Sequence, residues 1–257
     1  MAFDYLLRFE LQRRAPHAVV RPWVAEYVPE MLRAAHAGVL ELKVLSPSGP
    51  PTSLPPTGGF RKAARTAEEV IRAAQDAVAE YCTSDVISAA QEANLAADAV
   101  RLATLDLVYR AHRLDPRFMK ADPEDVDDLV ALLAIAPIEM LLAGRPLHLN
   151  PIFGESSALV GGADTDLITG DLLLDLKTVK EAEIRAGYLD QLLGYFLLAR
   201  REHRREPSFP VVSRVGLYLA RHAHLWIVDA AEWTSHPRFT EIEEQFFEMA
   251  AEVFTEY

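Results

Sequence analysis

The sequence predicts a protein of α+β / α/β class, with a helical N-terminal region over residues 1–120 and a region of strands and helices over 121–257. Three observations predict this. An alanine-rich stretch up to about His112 keeps helical spacing. Asp122-Pro-Glu-Asp125 reads as a capped helix start. Beyond Gly144, alternating and β-branched residues replace the helical pattern.

The elements follow in order. Phe3–Arg14 fits a strand or a helix. Pro22 opens a helix to about His36, with Trp23, Tyr27 and Met31 on one face. Residues 46–59 are rich in Pro, Gly, Ser and Thr and read as an exposed loop, a plain linker rather than a partner motif. Thr66-Ala-Glu-Glu69 reads as a capping box that launches the long helical region, broken near Thr83–Ser84. The helix from Asp122 is expected to end at Gly144 as a left-handed cap, with a kink at Pro137. A boundary is placed near residue 120.

Composition excludes several classes. The 257 residues carry a net charge of −12, against a protein held to nucleic acid by charge alone. An acidic balance weighs less against a metal-dependent enzyme, because carboxylates that hold a cation are themselves acidic. Cys82 is the only cysteine, so an internal disulfide, a cysteine-based zinc site and a four-cysteine iron–sulfur cluster are excluded. No apolar run approaches a membrane span, and the first residues lack a signal-peptide pattern, so a cytoplasmic protein without membrane contact is expected. No phosphate loop, nucleophile elbow or His-Glu-x-x-His pair occurs.

The informative stretch runs from Leu159 to Thr178. Two apolar runs flank Gly170-Asp171, which reads as a two-residue hairpin turn. That register pairs Thr169 with Leu172, Leu167 with Leu174, Asp166 with Asp175, and Asp164 with Lys177. Alternation then puts Asp164, Asp166, Asp175 and Lys177 on one face, with Thr165, Leu167, Leu174 and Leu176 on the other. Two opposed carboxylates repel, and a divalent cation removes that cost. Mg²⁺ or Mn²⁺ suits such oxygens, and the Lys177 ammonium can stabilise charge developing on a phosphate. A solvated polar hairpin face with one Lys–Asp ion pair is the plainer alternative. Glu183 to about Arg204 then reads as a helix, with Gln191 and Tyr195 on one face.

Together, Gly162–Asp166, Asp175-Leu-Lys-Thr178 and Gln191-Leu-Leu-Gly-Tyr195 resemble the RecB-like branch of the PD-(D/E)xK nuclease superfamily over about residues 140–230. The resemblance implies a restriction-endonuclease-like mixed sheet flanked by helices and a Mg²⁺-dependent deoxyribonuclease. It implies metal ligands at Asp166 (Asp164 as the alternative), Asp175, the Leu176 backbone carbonyl and a helix acid, for which Glu139 is chosen over Glu155. Lys177 matches the catalytic lysine, and Gln191 and Tyr195 match residues that brace the site or touch the nucleic-acid backbone. The substrate implied is DNA. A setting in repair or phage defence is expected, and the helical N-terminal region, which the resemblance does not cover, is expected to restrict access or bind a protein partner. No Pro precedes the first Asp, and no iron–sulfur cluster is expected. The alternative is a catalytically silent nuclease-fold protein that binds or assembles with a partner in those same processes. Arg200-Arg-Glu-His-Arg-Arg205 and Arg61, Lys62 and Arg65 are basic clusters that read as helix-end solvation or as phosphate contacts.

Overall fold

The computed structural model describes residues 1–46, 49–52 and 59–254. The chain begins with α1 (Ala2–Arg14), β1 (Val19–Val20), a 3₁₀ turn (Val24–Tyr27), α2 (Val28–His36), β2 (Lys43–Ser46) and β3 (Gly49–Thr52). It continues with α3 (Gly59–Thr83), α4 (Ala89–Ala111), β4 (Arg113–Leu114), α5 (Pro123–Ala134), α6 (Ile138–Ala143) and β5 (Leu147–Leu149). After a 3₁₀ stretch (Gly154–Val160) come β6 (Leu167–Thr169), β7 (Leu172–Lys177) and α7 (Ala186–Arg205). The last elements are β8 (Arg214–Leu219), β9 (His224–Asp229), α8 (Ala230–Thr234) and α9 (Phe239–Phe254).

Two compact units emerge. The first joins Met1–Arg14 to Pro22–Ile135, and the second joins Ala15–Arg21 to Ala136–Tyr257. The division therefore falls later than the boundary read near residue 120. α5 buries Leu129, Leu132 and Leu133 and packs on α4 and α1, which draws it into the helical unit.

In the first unit α1 lies among α3, α4 and α5. It is a helix, although its sequence fitted either element. Phe3, Tyr5, Leu6, Leu7, Phe9 and Leu11 are all buried, so apolar residues surround the axis and erase the one-sided stripe. Its buried polar groups are partnered. Arg8 reaches Asp4 at 3.0 Å and lies over the Tyr5 ring, and Glu10 accepts from Tyr81 Oη at 2.7 Å. The capping box expected at Thr66 lies inside α3 instead, because the helix already starts at Gly59. The true box is Ser88 with Gln91, which opens α4 after the break at Thr83. The helix expected from Pro22 begins as a 3₁₀ turn, and α2 proper starts one residue before Pro29. Within the Pro-rich stretch read as a loop, Gly49–Thr52 pair antiparallel with β2 on the outside of a three-stranded sheet, where proline is tolerated. Residues 47–48 and 53–58 of that stretch lie outside the described residues.

Tyr5 Oη donates to Asp106 at 2.9 Å. Burial pushes the Asp106 carboxyl up from 3.8 to about 6, against the opposing pull of the Tyr5 hydroxyl. A folded-state value above the unfolded one means that the protonated form is favoured by folding. The contribution is fully present below 3.8 and is lost as pH rises through about 6. Asp106→Asn keeps an acceptor for Tyr5 and removes the charge. The variant is expected to gain stability over the native chain at pH 8, by up to about 3 kcal/mol, and to match it near pH 4. Denaturant melts at both pH values check this, and parallel pH profiles would contradict it.

The second unit holds a six-stranded mixed sheet, β1-β5-β6-β7-β8-β9, flanked by helices. β7 runs parallel to β8, and β6 runs antiparallel to β7. The hairpin turn is Gly170-Asp171, with positive φ at Gly170 alone, as a type II′ turn requires of its first central residue. Thr169 pairs with Leu172 and Leu167 with Leu174, the expected register. Ile168, Leu173, Val215 and Leu217 meet Leu192 and Phe196 of α7, so α7 covers one sheet face.

The helix expected to reach Gly144 is instead two helices, α5 and α6. Pro137 supplies no N–H and breaks the run outright. Gly144 has φ −86°, so it is no left-handed cap. Its role is close approach: a Cβ there would stand 2.4 Å from Thr169 Oγ1 and 2.7 Å from the Gly170 nitrogen. Gly144→Ala is expected to cost about 1–3 kcal/mol through this overlap, read as a lowered denaturation midpoint.

Candidate active site

β7 supplies Asp175 and Lys177 on the face that α7 covers, since both alternate in phase with the core residue Leu173. Asp175 is buried, at 4% exposure. Lys177 Nζ lies 2.6 Å from Asp175 Oδ2 and donates to Gln191 Oε1 at 2.8 Å. Gln191 Nε2 in turn donates to Tyr195 Oη at 2.6 Å. The four residues form a chain from strand to helix, and the helical spacing of Gln191 and Tyr195 makes its last link.

Asp166 reaches the same place by a different route. The pairs Asp166–Asp175 and Asp164–Lys177 are absent from the ladder, which ends at Leu167–Leu174. Before β6 the chain turns toward the continuation of β5. The Asp166 carbonyl accepts from the Asn150 amide at 2.9 Å, Thr165 N donates to the Pro151 carbonyl at 3.1 Å, and Asp164 bridges to Ile152. Asn150, at φ 52°, makes the bend that presents these groups. The Asp166 carboxylate then accepts a hydrogen bond from the Leu176 amide at 2.6 Å, and the buried Thr165 hydroxyl donates to the Leu174 carbonyl at 3.1 Å. Side chains thus take over where the backbone ladder stops.

The three aspartates act electrostatically on Tyr195. Burial raises the Tyr195 phenol above its ordinary value, the Gln191 hydrogen bond opposes this, and the charges of Asp175, Asp166 and Asp164 raise it further. All three aspartates therefore act on one hydroxyl, beneath α7. Glu139 is exposed in the first turn of α6, a helix whose Leu141 carbonyl accepts from Thr169 at the turn end of the hairpin. Glu155 pairs with Arg205 at 3.3 Å. Among the described residues, no three His, Cys, Asp or Glu side chains are grouped to hold a metal ion.

Tyr188 was not singled out from the sequence. Lys177 Nζ lies 4.9 Å from its ring centre, so the ammonium has Asp175, Gln191 and an aromatic face around it. The signal was present: Tyr188, Gln191 and Tyr195 follow a three-then-four spacing along one helical face. The basic run at the end of α7 is occupied within the unit. Arg204 pairs with Glu243 of α9 at 3.0 Å, Arg200 approaches the same carboxylate at 3.5 Å, and Arg201 lies over the Phe247 ring. Arg61, Lys62 and Arg65 are exposed on α3 in the other unit.

No family model matches the chain, and neither a curated protein nor a solved structure matches it. Among the described residues no helix is long and apolar enough to cross a membrane.

Proposed function

We propose that the second unit is a Mg²⁺-dependent phosphodiesterase acting on DNA. The observation that carries this is the linkage Asp175–Lys177–Gln191–Tyr195, with Asp166 beside it. The likeness to RecB-like PD-(D/E)xK nucleases implied that these residues share one site, and their packing under α7 supports that reading.

The donor chemistry fits a hard divalent cation. Mg²⁺ keeps several waters and takes one or two carboxylates plus substrate oxygens, so Asp166, Asp175 and the Leu176 carbonyl suffice without a third acidic ligand. Asp164 is the alternative to Asp166, and Glu139 is left outside the minimal set. Bound there, Mg²⁺ or Mn²⁺ supplies Lewis-acid neutralisation of phosphoryl charge. The chain's own residues supply the rest. Lys177 places a cation where negative charge develops on phosphorus-bound oxygens. Gln191 fixes the direction of that ammonium, and Tyr195 fixes Gln191. The apolar layer of Leu192 and Phe196 keeps water from the inner side of the carboxylates.

Incubation of plasmid and linear DNA with the full chain and Mg²⁺ tests the proposal, with EDTA as the control. Cleavage that requires the divalent ion is expected. An intact substrate at every ion concentration would leave the silent binding protein as the better reading.

A further inference from the structure

A cleft of about 310 Å³ opens in the second unit, on the side of the sheet that α7 covers. Its place follows from register: Val19 is opposite His148, His148 opposite Ile168, and Ile168 opposite Leu173, so all four share a face with Asp175. His148 therefore lies about two strand spacings from β7, about 10 Å, and Val19 and Arg21, on and just after β1, about three, about 14 Å.

Its lining is divided by chemistry. Phe209, Pro210, Ile152 and Val19 form apolar walls, and Ile152 and Val19 are 39% and 46% exposed at the mouth. Arg21 and His148 form the polar side. Burial and then the Arg21 charge hold the His148 imidazole below its ordinary value, and both side chains line the cleft. The carboxylates of the cleft are already engaged. Glu202, only 2% exposed, accepts from the Ser156 amide and hydroxyl and from Arg205. Glu206 accepts from the Ser208 amide and hydroxyl. Arg21 has no carboxylate within ion-pair distance among the described residues. Arg205 offsets Glu202, so Arg21 and Glu206 are the charges left to face an apolar slot whose volume is at the lower end of small-molecule sites.

We infer that this cleft is a nucleotide subsite, which takes an aromatic base against Phe209, Ile152 and Val19 and its phosphate on Arg21 and His148. The inference rests on the nuclease reading for the source of the nucleotide, a DNA strand whose cleaved bond lies at the aspartates. An offset of about 10–14 Å corresponds to about three to four nucleotide rises of 3.4 Å. The subsite would hold the strand in register.

Binding without divalent ion separates this from catalysis. The full chain in EDTA is titrated with 5′-dTMP, thymidine and inorganic phosphate, followed by calorimetry or ligand-detected NMR. dTMP is expected to bind at least about tenfold more tightly than either fragment, and Arg21→Gln to weaken dTMP about tenfold with thymidine unchanged. Ile152→Ser is expected to weaken dTMP and thymidine alike. A ten-nucleotide single strand is expected to displace dTMP. Equal affinity for dTMP and phosphate, an unchanged dTMP affinity in Arg21→Gln, or failure of the strand to compete would each overturn the subsite. Loss of Mg²⁺-dependent cleavage alone would overturn the catalytic reading and leave these binding results standing.

Discussion

Asp175→Asn is expected to reduce Mg²⁺-dependent DNA cleavage by at least about 10³-fold. Metal-assisted neutralisation is worth several kcal/mol in the transition state, and about 4 kcal/mol corresponds to three decades in rate. Asp175 is the carboxylate best placed to supply it, being buried on β7 where the strand pairs with β8. Asparagine has nearly the same shape, so β7 should keep its pairing with β8. The substitution nevertheless leaves Lys177 without its 2.6 Å partner, and a loss of stability must be separated from a loss of chemistry. Circular dichroism and a denaturation midpoint provide that separation. A folded Asp175→Asn protein that cleaves at the native rate would remove the aspartate from the mechanism.

Lys177→Met should have two effects of different kinds. The first is a fall in cleavage rate of about 10²–10³-fold, the usual consequence of removing one preorganised electrostatic stabiliser. The second needs no substrate. The side chains of Lys177 and Asp175 are 16% and 6% exposed, so methionine leaves a buried carboxylate without its cation. Breaking such a pair costs about 3–5 kcal/mol, and a divalent ion can restore the missing positive charge. The melting temperature of Lys177→Met in EDTA should therefore lie below that of the native chain, and Mn²⁺ should raise it more than it raises the native value. In the native chain the ion must compete with an ammonium already seated on Asp175. Equal Mn²⁺-induced shifts in the two proteins would contradict this account of the Lys177–Asp175 contact.

The parts of this site that were legible in the sequence are those set by local rules. Gly170 and Asp171 between apolar runs specified a two-residue turn, and that turn fixed the register of Leu167 and Thr169 against β7. The spacing of Gln191 and Tyr195 specified one helical face, and the two side chains are hydrogen-bonded. Competition between neighbours was not legible. Asp166 was expected to continue the β6–β7 ladder, but the next amide in line for β7, that of Thr165, turns to the Pro151 carbonyl beyond β5, and the Asp166 carboxylate caps Leu176 instead. No pairwise reading of one hairpin anticipates a third strand. Helix punctuation was misread where several signals lay close together. Thr66 resembles a cap but lies in an established helix, whereas Ser88 performs that role, and Pro137 ends a run that the apolar pattern carried through it. α1 was ambiguous because it is surrounded by other helices, and a helix buried on all sides has no polar face to reveal its period.

The most direct measurement is anomalous diffraction from crystals of the full chain grown with Mn²⁺. A shared peak within coordination distance of carboxylate oxygens from Asp166 and Asp175 is the expected result, with the Lys177 ammonium moved off Asp175 and still in contact with Gln191. A map without a peak at these residues at saturating Mn²⁺, with Lys177 still seated on Asp175, would contradict the metal-dependent site.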